Sequence, residues 1–441
     1  MRPLLAILIL VTHNAWRTRS VSDGVVAATT PSLTVGVRPE SDLEAGAAVA
    51  DITPPTGHPM WGYASRKDKP CEGVLDLLHA KAIVLKSGTD KIAIVSLDLG
   101  RAPTRDSMTR IRKTLAADKF VELFLVASHT HHGPVIELDD WPKDAPYVRD
   151  LESKLVALIR KADAARVPAK AVFASTESTL NRNRQSKRAD APVDRELLVM
   201  RLDTLDGKPI AVAVNFAAHP TMHPDKLMKF SADYPGAMMK HVEATTGVPC
   251  LFLQGAAGDL SPNPPAGMPR DPEEFGKRLG DDVLKLLSKP DAPARVGKEL
   301  LARREEFSFK CQVDVKNAIV RGALERAFFP ELIGFFEKEY KDSLVRPTLT
   351  VATLGESVGF VGVSGEFFCD HALSLKRRAR IPHLFVLGYC NDYQQYFPTI
   401  QAVSEGGYGT GLPVSVSELG AGEKVIDRAL IHLYQLRGKV P

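Results

Sequence analysis

Apolar and polar positions follow two rhythms along this chain, and their order predicts an architecture. Short runs rich in β-branched and aromatic residues recur: KIAIVSLDLG at 91–100, VELFLVASHTHHG at 121–133, KPIAVAVNFAAHP at 208–220, VPCLFLQGAAGDLSPN at 248–263, SVGFVGVSGEFF at 357–368 and HLFVLGYCNDYQQY at 383–396. Each runs into polar or glycine-rich residues, the pattern of a strand entering a loop. Other segments place apolar residues three and four apart, the period of a helix. In TRDSMTRIRKTLAAD (104–118) these are Met108, Ile111 and Leu115, and further amphipathic helices are expected at 272–288, 317–340, 366–378 and 422–437. Residues 29–48 read as an irregular lead-in. The block 290–345 is more charged and reads as a mostly helical, peripheral insertion.

Strand, helix, strand over 91–133 is a βαβ unit, so its two strands are expected to be parallel. The fold class that follows is α/β: a mixed β-sheet core flanked by helices, with the site at the carboxyl ends of strands. Asp98, His129, His219, Asp259, Ser261, Glu366 and Asn391 all fall just after predicted strands. Short loops there can bring such residues together, although two strand ends can also point to opposite edges.

The segment ASHTHHGP (127–134) holds His129, His131 and His132, in a chain with only 12 histidines. Catalytic zinc takes imidazole nitrogen and carboxylate oxygen and keeps a position open. His129, His219 and Glu366 would supply two nitrogens and one oxygen. In an extended segment residues i and i+2 share a face, so His129 and His131 would point the same way and His132 elsewhere. Spacing alone leaves the plainer reading open: histidines of surface loops, for His129 and His131 and equally for His219 and His223. GAAGDLSPN (255–263) frees the backbone to approach a ligand and could present Ser261. It is not the Gly-x-Ser-x-Gly elbow, and an ordinary Asp/Ser turn fits as well.

Composition adds boundaries. The chain has 441 residues, 44% hydrophobic and 25% charged, with a net charge of +4, which suits a globular protein rather than a nucleic-acid binder. RNRQSKR (182–188) is the densest basic stretch and reads as a solvated loop. The five cysteines are an odd, widely spaced set without a CxxC pair, so neither a disulfide framework nor a thiolate zinc site is expected. Arg2 precedes the apolar run Pro3–Val11, too short to span a bilayer and suited to the core of a signal peptide; small residues at 25–28 are a cleavage region. The expected organisation is a signal peptide over 1–28 and a single catalytic domain over 29–441, exported to the outside or the periplasm.

Taken in order, the segments resemble the catalytic domain of the neutral/alkaline non-lysosomal ceramidase family. AVADITPPTGHPMWGYASR (48–66) is similar to that family's opening, VSLDLG (95–100) to its next strand, and SHTHHGP to its His-Thr-His-Ser-Gly-Pro, with His132 in place of serine. NRNR (181–184), NFAAHPTMH with FSADYPG, GAAGDLSPN, SGEFF (364–368) and NDYQQYFPT followed by GGYG (391–409) continue the likeness over about 48–410. It implies zinc held by His129, His219, Glu366 and Tyr396. It places His131, Arg184 and Tyr408 around the scissile amide, with the twelve-residue step from Tyr396 to Tyr408 matching, and Ser261 at the family's active-site serine. GGYGTG lacks the Arg-Tyr-Glu context usual in the family.

The activity implied is zinc-dependent hydrolysis of the N-acyl amide of ceramide or a similar lipid to a fatty acid and a sphingoid base. The partners expected are a lipid or small-molecule substrate and transient contact with a membrane surface, with no nucleic acid and no protein partner. Two alternatives stay open: a metal-dependent hydrolase of another N-acyl or ester substrate, and a non-catalytic relative that binds lipid or glycan. Two histidines, a carboxylate and a phenolate suit zinc, and iron or manganese accept much the same set.

Overall fold

Two stacked β-sheets carry the fold, with helices covering their outer faces. The computed structural model describes residues 43–67, 69–143, 146–288 and 299–441, one compact unit. The signal-peptide reading of 1–28 lies outside the described residues. The larger sheet has eight strands in the order Cys250–Gln254, Pro209–Phe216, Glu196–Thr204, Val167–Glu177, Leu43–Asp51, His79–Ser87, Asp90–Leu97 and Glu122–Ala127. The outermost pair on each side is parallel and the middle is antiparallel. Asp90–Leu97 and Glu122–Ala127 are one of the parallel pairs, as the βαβ pattern predicts. The smaller sheet orders Leu300–Glu306, Thr348–Leu354, Val358–Val363 and His383–Leu387.

Burial explains the runs. All six residues of Glu122–Ala127 and all of Thr348–Leu354 and Val358–Val363 are buried, which is why they read as continuous apolar stretches rather than alternating ones. A core containing Phe124, Phe173, Phe360 and Phe385 fills the space between the sheets. The larger sheet also curls. Ser96 Oγ, beside one edge, donates to the Phe252 carbonyl on the opposite edge strand at 2.7 Å. Strands at the two ends of the sheet order therefore meet in space.

Three local expectations are corrected. The stretch read as lead-in already forms a strand from Leu43. Its small residues have low strand propensity, but a Cβ on Gly46 would lie 2.3 Å from the Ala162 carbonyl, so the sequence is shaped by the helix Val148–Ala164 lying on it. The expected single helix over 317–340 is two helices, Ala318–Ala327 and Pro330–Glu339, because Pro330 drives the preceding Phe329 to an extended backbone. The helix expected from 366 starts at Cys369, and Glu366–Phe367 instead pairs in parallel with Tyr396–Phe397. The described part of the 290–345 block contains three strands, Leu300–Glu306, Phe309–Lys310 and Leu344–Val345, as well as helices, and several of its side chains face the cavity described below. Among the described residues no helix is long and apolar enough to cross a membrane. All five cysteines are buried free thiols.

Candidate metal centre and its cavity

His129 follows one edge strand of the larger sheet, and His219 follows the second strand from the other edge. The curl brings them together, with their Nε2 atoms 3.2 Å apart. Gln254 ties the two approaches: its Nε2 donates to the carbonyls of Ser128 and Ala218, the residues just before each histidine, at 2.9 Å each. Glu366 arrives from the smaller sheet, its Oε2 3.4 Å from His129 Nε2 and 3.0 Å from His219 Nε2. The parallel register sets Tyr396 directly beside Glu366, and its hydroxyl is 3.5 Å from His219 Nε2.

Hydrogen-bond bookkeeping tests whether a metal fits. His129 Nδ1 lies 2.6 Å from the Gly100 carbonyl and His219 Nδ1 lies 2.7 Å from the Ala257 carbonyl. Carbonyls only accept, so each Nδ1 carries the proton and each Nε2 presents a lone pair. Two lone pairs and a carboxylate oxygen then face one another across about 3 Å. Arg184 Nη2 donates toward His219 Nε2 at 2.9 Å, but it leaves His129 and Glu366 opposed. A cation resolves this, and imidazoles whose second nitrogen is held by a carbonyl are the usual metal-ligand arrangement. The site can hold a metal ion, and nothing in the geometry fixes which.

Buried His129 and His219 also form a group with half-buried His131, whose ligand atoms all lie within 4.8 Å of one another. Glu366 and His131 are both placed to supply a third ligand. Glu366 Oε2 lies 3.4 and 3.0 Å from the two Nε2 atoms, and among the described residues His131 has no partner on either ring nitrogen to fix its tautomer. Burial first, then the neighbouring imidazoles, hold His131 well below the ordinary histidine range, so it is neutral. Burial and Arg184 bring His219 down to about 3. Burial pushes the Glu366 carboxyl up, and positive charge on the adjoining His129 and His219 would pull it well below the ordinary carboxylate range; with both rings neutral, a bound cation would supply that charge. Burial and then Glu366 raise the Tyr396 phenol, which stays protonated unless a cation adjoins it.

The structure assigns the remaining sequence candidates different places. Arg184 Nη2 also donates to Tyr396 Oη at 3.1 Å and to the Gly258 carbonyl at 3.0 Å. Tyr408 is 62% exposed, and the Arg184 guanidinium lies over its ring at 5.5 Å. Both line the cavity; Ser261 does not, and its shielded hydroxyl has no hydrogen-bond partner among the described residues. Asp98, Asp259 and Asn391 are tied to backbone amides of His79, Cys369 and Leu125 and knit the strand ends. His129 and His131 do come close, with ring centroids 5.0 Å apart, but not through a shared extended face: His129 has φ +69°. A non-glycine residue in that region is held by its surroundings. His132 turns away and lies against Arg66 Nη2 at 2.6 Å.

Several neighbours escaped the sequence reading. Tyr393 Oη donates to Glu366 Oε1 at 2.5 Å and Tyr389 Oη to Oε2 at 3.4 Å, while the Tyr389 ring stacks on His129. Trp61 packs edge-on against His129, His131 and Tyr393. The one signal for the two tyrosines was the density of aromatics in GYCNDYQQY. Gly258 has a visible role: a Cβ there would sit 2.6 Å from the Glu366 backbone carbonyl. Gly258→Ala is therefore expected to displace Glu366 and lower metal affinity by roughly tenfold or more, the range for disturbing a ligand's support. Metal titration of the folded variant checks this, and wild-type affinity would refute it.

A cavity of about 570 Å³ opens onto this cluster. His131, Arg184, Glu366, Tyr396 and Tyr408 lie at one end. Val313, Leu324, Phe328, Leu332, Phe335 and Phe336, from the two helices of the 290–345 block and the chain before them, form an apolar wall.

No protein-family model and no curated protein matches the sequence. Solved structures do. The neutral ceramidase from Pseudomonas aeruginosa superimposes with a TM-score of 0.74 at 19% identity, covering 90% of this chain and 75% of that one. A ceramidase complexed with C2 does so at 0.74 and 18% identity, covering 90% and 76%. The molecule is a mixed α/β protein with a buried histidine–carboxylate cluster at the carboxyl ends of its strands. More particularly, its fold is that of the neutral ceramidases, in agreement with the resemblance carried by the sequence segments.

Proposed function

We propose that this chain is a metal-dependent hydrolase that cleaves the N-acyl amide of ceramide or a ceramide-like lipid. The observation that carries the reading is the apolar wall running from the helices at 318–339 to the His129–His219–Glu366 cluster. An acyl chain has an apolar bed, and its carbonyl ends beside polar groups suited to hydrolysis. The fold shared with the neutral ceramidases supports it.

Zinc held by His129, His219, Glu366 and Tyr396 would supply a Lewis acid and water activation. This chain's own residues do the rest. Arg184 and Tyr408 donate hydrogen bonds to the substrate carbonyl oxygen and to the charge that develops on it. Neutral His131, with both ring nitrogens uncommitted among the described residues, accepts a proton from attacking water and returns it to the leaving nitrogen. Tyr389 and Tyr393 fix the Glu366 carboxylate. Trp61 and the apolar wall exclude bulk water. Ser261, off the cavity wall, is given no step.

The test is release of fatty acid from a fluorescent ceramide with and without chelator, beside metal analysis of the purified protein. About one metal per chain and chelator-sensitive release are expected. Rate should also climb with acyl length, roughly two- to fourfold in kcat/KM per methylene until the wall is covered. Metal without turnover of any N-acyl lipid would leave the site without this reaction.

A further inference from the structure

We infer that Arg66 and His132 are positioning residues for the reaction: Arg66 clamps the main chain that carries His131, and His132 is the acceptor that fixes Arg66. This rests on the hydrolase reading above and deepens its account of His131.

A catalytic imidazole is ordinarily oriented by a hydrogen bond to its second nitrogen. Among the described residues His131 has no partner on either nitrogen. The ring is held by packing instead, and the turn at 61–66 supplies it. Trp61 and Tyr63 meet the imidazole edge-on, with ring centroids 5.5 and 4.9 Å away. Gly62, between them, has φ +107°, and a Cβ there would fall 2.7 Å from His131 Cα. The Trp61 amide donates to the Gly133 carbonyl at 2.8 Å.

Arg66 closes this turn onto the histidine segment. It is 2% exposed, and a guanidinium has five N–H donors. All five find acceptors: the carbonyls of Asp225, Trp61, His131 and Leu227, and Nε2 of His132. None of these is a carboxylate. A buried cation is therefore held by neutral dipoles, and its orientation depends on each of them. Of the five, His132 alone contributes a side chain. Arginine only donates, so His132 Nε2, 2.6 Å from Arg66 Nη2, presents its lone pair. The Pro224 carbonyl, 3.2 Å from the same nitrogen, receives no proton from it. Burial and then Arg66 bring His132 down to about 3, which keeps it neutral. The His131 carbonyl and the His132 ring thus accept from one guanidinium, and the peptide between them cannot turn without breaking both bonds. His131 is fixed in this way while its two nitrogens stay free to take up and release a proton.

The experiment compares wild type, His132→Leu, His132→Asn and Arg66→Lys as metal-loaded full chains. It reads kcat and KM on a fluorescent ceramide, metal content, and the histidine ring protons by NMR, with the His131 signal identified by its loss in His131→Ala. His132→Leu removes the acceptor and keeps a side chain of similar size. Its kcat should fall about 10- to 100-fold, the cost of a misplaced catalytic group, with KM and metal content unchanged and the His131 signal shifted. His132→Asn offers Arg66 an amide oxygen and should restore most of the rate and the signal. Arg66→Lys keeps the charge without the planar fork and should resemble His132→Leu. A wild-type kcat in His132→Leu, or no recovery in His132→Asn, overturns the clamp and leaves the hydrolase reading standing. If wild type cleaves no N-acyl lipid, the hydrolase reading falls and the His131 signal decides the clamp: a shift in His132→Leu that His132→Asn reverses supports it, and an unmoved signal overturns it.

Discussion

His129→Ala is expected to strip the metal and lower kcat/KM by about 10³- to 10⁴-fold, the loss of a Lewis acid worth several kcal/mol. Opposed lone pairs create the demand for a cation. With Nδ1 of His129 and His219 committed to the Gly100 and Ala257 carbonyls, both Nε2 atoms and Glu366 Oε2 converge as acceptors. Removing His129 relieves that opposition and takes away one of three close donors. The remaining pair, His219 and Glu366, would form an ordinary ion pair or hydrogen bond. Metal analysis beside activity checks it: a variant that keeps stoichiometric metal would reject the ligand assignment. His129 also sits in a left-handed backbone conformation held by its surroundings, so His129→Gly, which adopts it without strain, is the companion variant expected to give a folded, metal-free protein.

His131→Ala is the second large effect, with a different signature. Turnover should fall about 10²- to 10³-fold, the range for loss of a general acid–base group, while metal content stays near one per chain. The two assignments of the third ligand separate here. If His131, rather than Glu366, completes the metal set, the variant loses metal as His129→Ala does. If it shuttles the proton, metal is retained and only the rate drops. Its position supports the second outcome: it lines the cavity, its ring packs against Trp61 and Tyr63, and neither nitrogen has a partner among the described residues.

Much of this was legible in the chain, for identifiable reasons. Runs such as ELFLVA and VGFVGV are buried on both faces, so their uninterrupted apolar character marks them as inner strands without knowledge of their neighbours. The parallel pairing of Asp90–Leu97 with Glu122–Ala127 followed from the helix between them. Less legible were elements whose sequence answers to a partner. The alanine- and glycine-rich strand Leu43–Asp51 looks irregular alone, because its small residues make room for a helix more than a hundred positions away. The break at Pro330 was available in the sequence, but the aromatic period of 317–340 continues across it, since both helices face the same cavity.

The site divides in the same way. By itself the sequence determined which residues could bind a metal and that they follow strands, since imidazole and carboxylate chemistry and the apolar-to-polar step are local properties. Tertiary structure decided that they meet. His129 and His219 leave strands near opposite edges of the sheet order, and only the curl recorded by Ser96 and Phe252 closes that distance. It also decided the supporting cast, Tyr389, Tyr393, Trp61 and Gln254, whose roles depend on contacts between segments far apart in sequence. The cavity is of the same kind. A charged, helical block reads as peripheral because its polar residues dominate the composition, yet its apolar face turns inward and forms the wall beside the metal cluster. Which face points where is set by packing against the rest of the molecule, information that no local stretch of sequence contains.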